Sequence, residues 1–105
     1  MSLLVVFTTV ASRDEARQMA RTLVERRLAA CAEISEVESF YAWKGAVHDE
    51  AEWRIAFKTT AAQYAAVEAA IRELHRYELP AIHAEAAVRA FAPYAAWVEQ
   101  GSSGA

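Results

Sequence analysis

The sequence predicts an α+β fold of βαββαβ order, and three observations predict it. Four apolar runs, unbroken or alternating, have the length of strands. Two segments of helical periodicity follow the first and third of these runs, and each opens on a capping pattern. A glycine turn joins the second and third runs into a long hairpin. Two helices in those places define the ferredoxin-like split βαβ plan, here with a short helix added at the end.

Taken in order, "LLVVF" (Leu3 to Phe7) is a run that suits a strand covered on both faces. "SRDE" sets Ser12 three places before Glu15, and Asp14 and Glu15 complement the helix dipole. Ala16, Met19, Ala20, Leu23 and Val24 then recur at helical spacing, which predicts a helix from about Asp14 to Leu28.

Ala32 to Trp43 reads as a strand with a fault. Ala32 and Ile34 share one parity, whereas Val37, Ser39, Tyr41 and Trp43 share the other, so a bulge or bend is expected between them. Gly45 marks the turn. Beyond it Ala51, Trp53, Ile55 and Phe57 face one way, and Glu50, Glu52, Arg54 and Lys58 the other.

"TAAQ" (Thr60 to Gln63) repeats the capping pattern, and Tyr64, Val67, Ile71 and Leu74 mark a second helix. It ends near His75, because the region of Pro80 cannot continue it. Ile82, Ala84, Ala86 and Val88 alternate as a fourth strand, and Pro93 opens a short helix with Tyr94, Trp97 and Val98. One domain is expected over residues 1–100, with "GSSGA" (101–105) as a disordered tail outside the fold.

The chain has 105 residues, 55% of them apolar, which is enough for one core. A net charge of -3 without a basic stripe speaks against nucleic acid as a partner. One cysteine, Cys31, makes no internal disulfide and suits a reducing compartment. The opening residues lack a basic leader, and their apolar run is too short to span a bilayer. A cytoplasmic protein is the expectation, with no membrane partner.

In this plan both helices cover one sheet face and leave the other open. Phe40, Tyr41, Trp43, Trp53, Phe57 and Trp97 exceed what one inner face absorbs, and the hairpin leaves strand edges unpaired. Oligomerisation through the sheet answers both; the alternative is that the aromatics finish the core of the single chain under the terminal helix.

Candidate metal ligands are Cys31, His48, His75 and His83, scattered through the chain without paired ligand spacing. Cys31 sits among small apolar residues, as a buried hydrophobe does. His75, near Tyr77 and Glu78, reads either as a ligand in a cleft or as a helix-terminal histidine facing the dipole. The chain has no Gly-x-Ser-x-Gly, no phosphate loop and no identifiable nucleophile, so no enzyme is expected.

"RLAAC" (Arg27 to Cys31), "SFYAWKG" (Ser39 to Gly45), "FKTT" (Phe57 to Thr60), "HRYELPAI" (His75 to Ile82) and "YAAW" (Tyr94 to Trp97) together resemble the CutA family of divalent-ion tolerance proteins. The resemblance covers about residues 3 to 98. It implies a cytoplasmic homotrimer in which hairpins of neighbouring subunits join edge to edge, with clefts between subunits. Tyr41, Trp43 and Trp53 would then serve the trimer interface, and Glu52, Lys58, Tyr77 and Glu78 would lie at the cleft. It also implies tolerance of copper and other divalent ions. No cofactor is required; the metal, copper or another divalent ion, would bind weakly through His75.

The chain departs from that family's pattern at three places. Val10 stands where relatives often carry a cysteine, Arg76 replaces the proline of "HPYE", and Leu74 replaces a second histidine. The trimer of that family resembles PII-type signalling proteins, which sets a second expectation: a scaffold whose clefts bind a small anion or a partner peptide, with Lys58 and Arg76 as cationic contacts.

Overall fold

The computed structural model describes residues 3–104, with the elements in the expected order. They are β1 (Leu3–Val10), α1 (Arg13–Glu25), β2 (Cys31–Trp43), β3 (Ala46–Thr60), α2 (Tyr64–Leu74), β4 (Ile82–Ala86) and α3 (Ala92–Gly101). The sheet runs β2-β3-β1-β4 with every neighbouring pair antiparallel, so each helical crossover skips one strand. This is the ferredoxin-like plan with a terminal helix, as the sequence predicts.

The core lies between the sheet and the first two helices. Val6, Val10, Ile55 and Phe57 of the sheet meet Ala16, Met19 and Leu23 of α1 and Val67 and Ile71 of α2. On the opposite face α3 covers Leu3 and Val5 through Ala95 and Val98. Trp53 packs against the main core, with the Arg13 guanidinium over its ring at 6.0 Å. The chain thus absorbs Phe57 and part of Trp53 by itself, while Phe40, Tyr41 and Trp97 stay exposed.

Helix α1 starts as predicted, with the Glu15 N–H donating to Ser12 Oγ at 3.2 Å. It stops earlier than Leu28. Arg27 takes a positive φ of 57°, and the Arg27 and Leu28 N–H groups bond back to the Val24 and Leu23 carbonyls. That is a Schellman end with arginine where glycine is usual, so composition gave no stop signal. The second capping pattern is not realised: Thr60 makes no side-chain cap, and a 3₁₀ turn (Ala61–Gln63) leads into α2.

The expected bulge in β2 is absent. Its register against β3 runs unbroken from Cys31 opposite Lys58 to Trp43 opposite Ala46. The change of parity has another cause: Ala32 and Ile34 pack under the helices, whereas beyond Val37 the strand has left that layer and its other face is the better covered. The turn itself is as predicted, Lys44 and Gly45 both having positive φ as a type I′ hairpin requires.

Strand β4 ends at Ala86 rather than Val88: the Ala87 N–H still donates to the Leu3 carbonyl at 3.0 Å, but Val88 is 93% exposed. The chain end also differs from expectation. Gly101 belongs to α3, Ser102 is buried, and the Gly104 N–H donates to the Arg27 carbonyl at 2.8 Å. The Arg27 guanidinium donates to Ser103 Oγ at 3.1 Å and to the Gln100 carbonyl. Residues 101–104 are therefore docked; Ala105 of the expected tail lies outside the described residues.

Candidate functional site

Pairing of β1 with β3 stops at Val10 opposite Trp53. Seven further pairs, from Val37–Glu52 to Trp43–Ala46, belong to β2 and β3 alone. They form a two-stranded arm of roughly 23 Å at the usual rise per residue. The molecule measures 45 × 26 × 21 Å accordingly. Phe40 (66% exposed) and Val47 (77%) show apolar side chains on this arm.

The loop after α2 folds back beside the arm and is held by His75. The Tyr77 N–H donates to His75 Nδ1 at 3.2 Å, which fixes Nδ1 as the acceptor and puts the ring proton on Nε2. Nε2–H then donates to the Thr9 carbonyl at 2.9 Å, with Thr8 Oγ1 at 3.2 Å. Burial lowers the pKa of the ring below the usual histidine value, despite the Thr9 carbonyl and the nearby Glu15 and Glu52 carboxylates, which act the other way. His75 is the C-cap residue of α2, but its ring faces the Thr9 carbonyl and the Tyr77 N–H rather than the last helix carbonyls, so neither the dipole contact nor a free cleft ligand is what this geometry forms. Both nitrogens are engaged in tying the loop to the end of β1.

Tyr77 extends past that end. Glu52 is the first β3 residue without a β1 partner, and the Tyr77 hydroxyl donates to Glu52 Oε2 at 2.7 Å. Although Glu52 sits on the polar parity of β3, it is only 6% exposed. Burial, and next the bond to Glu52, push the Tyr77 hydroxyl far above the usual tyrosine range. Next to it, the Glu50 carboxylate raises the pKa of the Tyr41 hydroxyl.

Between arm and loop lies a cleft of about 730 Å³, lined by Tyr41, Trp43, Glu52, Tyr77, Glu78 and Leu79 among others. The structure thus brings Glu52, Tyr77 and Glu78 together, with Tyr41 and Trp43 on the same wall. It leaves Lys58 out. Lys58 lies six residues further along β3, roughly 20 Å away, 3.1 Å from Glu33 and 3.5 Å from the Tyr94 hydroxyl. The Glu33 carboxylate holds its ammonium above the ordinary lysine range.

Sequence patterning did not show that Glu52 is buried or that Phe40 and Leu79 border the cleft. The available signal was the change of parity in β2, which marks where the arm begins.

As for metals, no group of three or more His, Cys, Asp or Glu side chains converges among the described residues. Cys31 is half-buried, His83 stacks on Phe7, and His48 stacks on Tyr41. Likewise, no helix among the described residues is long and apolar enough to cross a membrane.

Comparison with known proteins gives this arrangement a family. A divalent-cation tolerance protein CutA of Thermotoga maritima is 33% identical over 98 residues, 93% of this chain and 97% of that protein. CutA of Synechococcus elongatus superposes with a TM-score of 0.92 at 34% identity, covering 96% of this chain and 90% of the other. Cut A1 of Thermus thermophilus, described as a divalent cation tolerance protein, gives 0.91 at 34%, covering 95% and 98%. Residues 4–101 match the family described as CutA1 divalent ion tolerance protein, and the chain belongs to that family.

Proposed function

We propose that this chain serves divalent-cation tolerance as a cytoplasmic homotrimer, with the clefts beside its hairpin arms as the working sites. Family membership supports the tolerance role. One observation of the molecule carries the assembly: seven strand pairs stand beyond the three-stranded part of the sheet. An isolated two-stranded hairpin is marginal in water, so an arm of this length needs a further partner. Its exposed Phe40 and Val47, and the open edge of β2, give a neighbouring subunit both apolar surface and backbone hydrogen bonds.

The geometry weakens two more specific versions. Copper at His75 requires Nδ1 to release the Tyr77 N–H, and the other ligands would have to come from neighbouring subunits. An anion held by Lys58 and Arg76, on the PII-like reading, meets cations already facing Glu33 and Glu15. The proposal assigns no reaction to the chain.

The test is growth of the host lacking this chain in graded copper, zinc and cadmium, with and without a plasmid copy. Lower tolerance restored by the copy is the expected result. Unchanged tolerance to all three ions overturns the role. Titration of Cu²⁺ into metal-free protein beside His75→Ala then decides whether this residue takes part.

A further inference from the structure

We propose that the cleft between the hairpin arm and the loop at 76–81 binds a small organic cation bearing a primary ammonium group on an apolar body. The inference deepens the reading of that cleft as the working site and rests on it for the cleft's being open in the assembled protein.

The first observation is the state of Glu52. Its side chain is nine-tenths buried, and its one hydrogen bond among the described residues takes the Tyr77 hydroxyl on Oε2. No cation within the described residues pairs with it. Of the nearby cations, Arg76 borders the cleft but faces Glu15 at 3.4 Å, and Lys44 on the rim faces Glu78 at 3.4 Å. Buried carboxylates are ordinarily paired. Nor is Oε1 sealed off: no fully buried side-chain oxygen among the described residues is left without a partner, so this oxygen is reached from outside, and Glu52 lines the cleft.

The second observation is what surrounds that oxygen. Tyr41, Trp43 and Tyr77 line the cleft, and its volume of about 730 Å³ suits a small molecule. Aromatic faces attract cations, and a carboxylate within an aromatic wall selects positive charge while apolar atoms cover the rings. Glu50, two residues before Glu52 on the same parity, adds negative charge to this side.

A third observation comes from the chain's own side chains. The Lys44 ammonium lies 5.5 Å from the Trp43 ring centre and 3.4 Å from a Glu78 oxygen. The rim of the cleft already holds an ammonium between an aromatic ring and a carboxylate. Inside, Glu52 and the rings of Tyr41 and Tyr77 repeat that combination without the ammonium. A primary ammonium fits better than a quaternary one, because Oε1 accepts a hydrogen bond. A bare metal ion fits poorly, for want of three converging ligands.

The experiment uses three probes of nearly equal size, phenethylammonium, 2-phenylethanol and phenylacetate, each titrated into the full chain by calorimetry and by tryptophan fluorescence. Saturable binding of phenethylammonium alone is expected, weakened tenfold or more in Glu52→Gln. Glu52→Gln keeps an acceptor for Tyr77, and circular dichroism checks that it folds; should it not fold, the three probes on the unaltered chain decide. Binding of none of them, as when a second copy fills the cleft, overturns the proposal. So does equal binding of 2-phenylethanol, tighter binding of phenylacetate, or unchanged affinity in a folded Glu52→Gln. Light scattering on the same samples separates the two readings. A trimer that ignores the amine sinks this inference alone, and a monomer that binds it sinks the assembly alone.

Discussion

The Tyr77 hydroxyl donates a 2.7 Å hydrogen bond to the Glu52 carboxylate, and so ties the loop after α2 to β3 at the point where β1 ends. Without a third strand there, the phenol does what a strand would otherwise do: it covers the sheet and satisfies a buried acid. Removing the hydroxyl in Tyr77→Phe leaves the ring in place and takes away a charge-assisted bond. The expected loss is about 1–3 kcal/mol of stability, read by urea denaturation with an unchanged m-value. A loss below about 0.5 kcal/mol, the range of ordinary surface substitutions, would mean that the bond does not hold the loop.

His75 makes stability depend on pH. Its pKa is lowered in the folded state, so the unfolded chain binds the proton more readily. The neutral ring contributes its stability fully above the ordinary histidine pKa, near 6.5. That contribution falls away as pH drops through this value toward the lower folded pKa. The wild type is expected to lose more stability between pH 7.5 and pH 5 than His75→Gln, which keeps a donor toward Thr9 but does not titrate. Parallel pH profiles would contradict the assignment.

Gly101 shows how closely α3 approaches the strand entry. A Cβ at this position would stand 2.7 Å from Ala30 Cβ and 3.1 Å from Ala30 Cα, and neither atom can turn aside. Gly101→Ala is therefore expected to cost about 1–3 kcal/mol, although alanine is the better helix former. A rise in melting temperature would show that α3 shifts freely.

These cases show what was legible in the sequence. Element order, hairpin and turn follow from local patterns: apolar periodicity, the Ser12 cap and the Lys44–Gly45 pair. The end of α1 did not, because Arg27 takes the left-handed conformation without the composition that signals it, and long-range bonds to Gln100 and Ser103 hold it. Those same bonds dock a tail whose composition suggests disorder. At the cleft, Tyr77, Glu78 and Glu52 were named from resemblance, while burial of Glu52 depends on where β1 stops, which no local pattern around Glu52 records. Lys58 shares the parity of Glu52 yet stands at the other end of the strand. Parity reports a face, not a position along it.

Val47 offers a way to separate folding from assembly. It is 77% exposed, so Val47→Asp should change the stability of the single chain by less than about 0.5 kcal/mol. On an arm buried between subunits the same charge is desolvated, and the trimer should dissociate. Sedimentation of the variant beside wild type reads the difference, and an intact trimer would place the interface away from this residue.

Whether the arm joins subunits is read by light scattering of the unaltered chain at low micromolar concentration. A mass of about 35 kDa is expected, three times the 11.6 kDa of one chain. A mass of 11.6 kDa under those conditions would contradict the trimer.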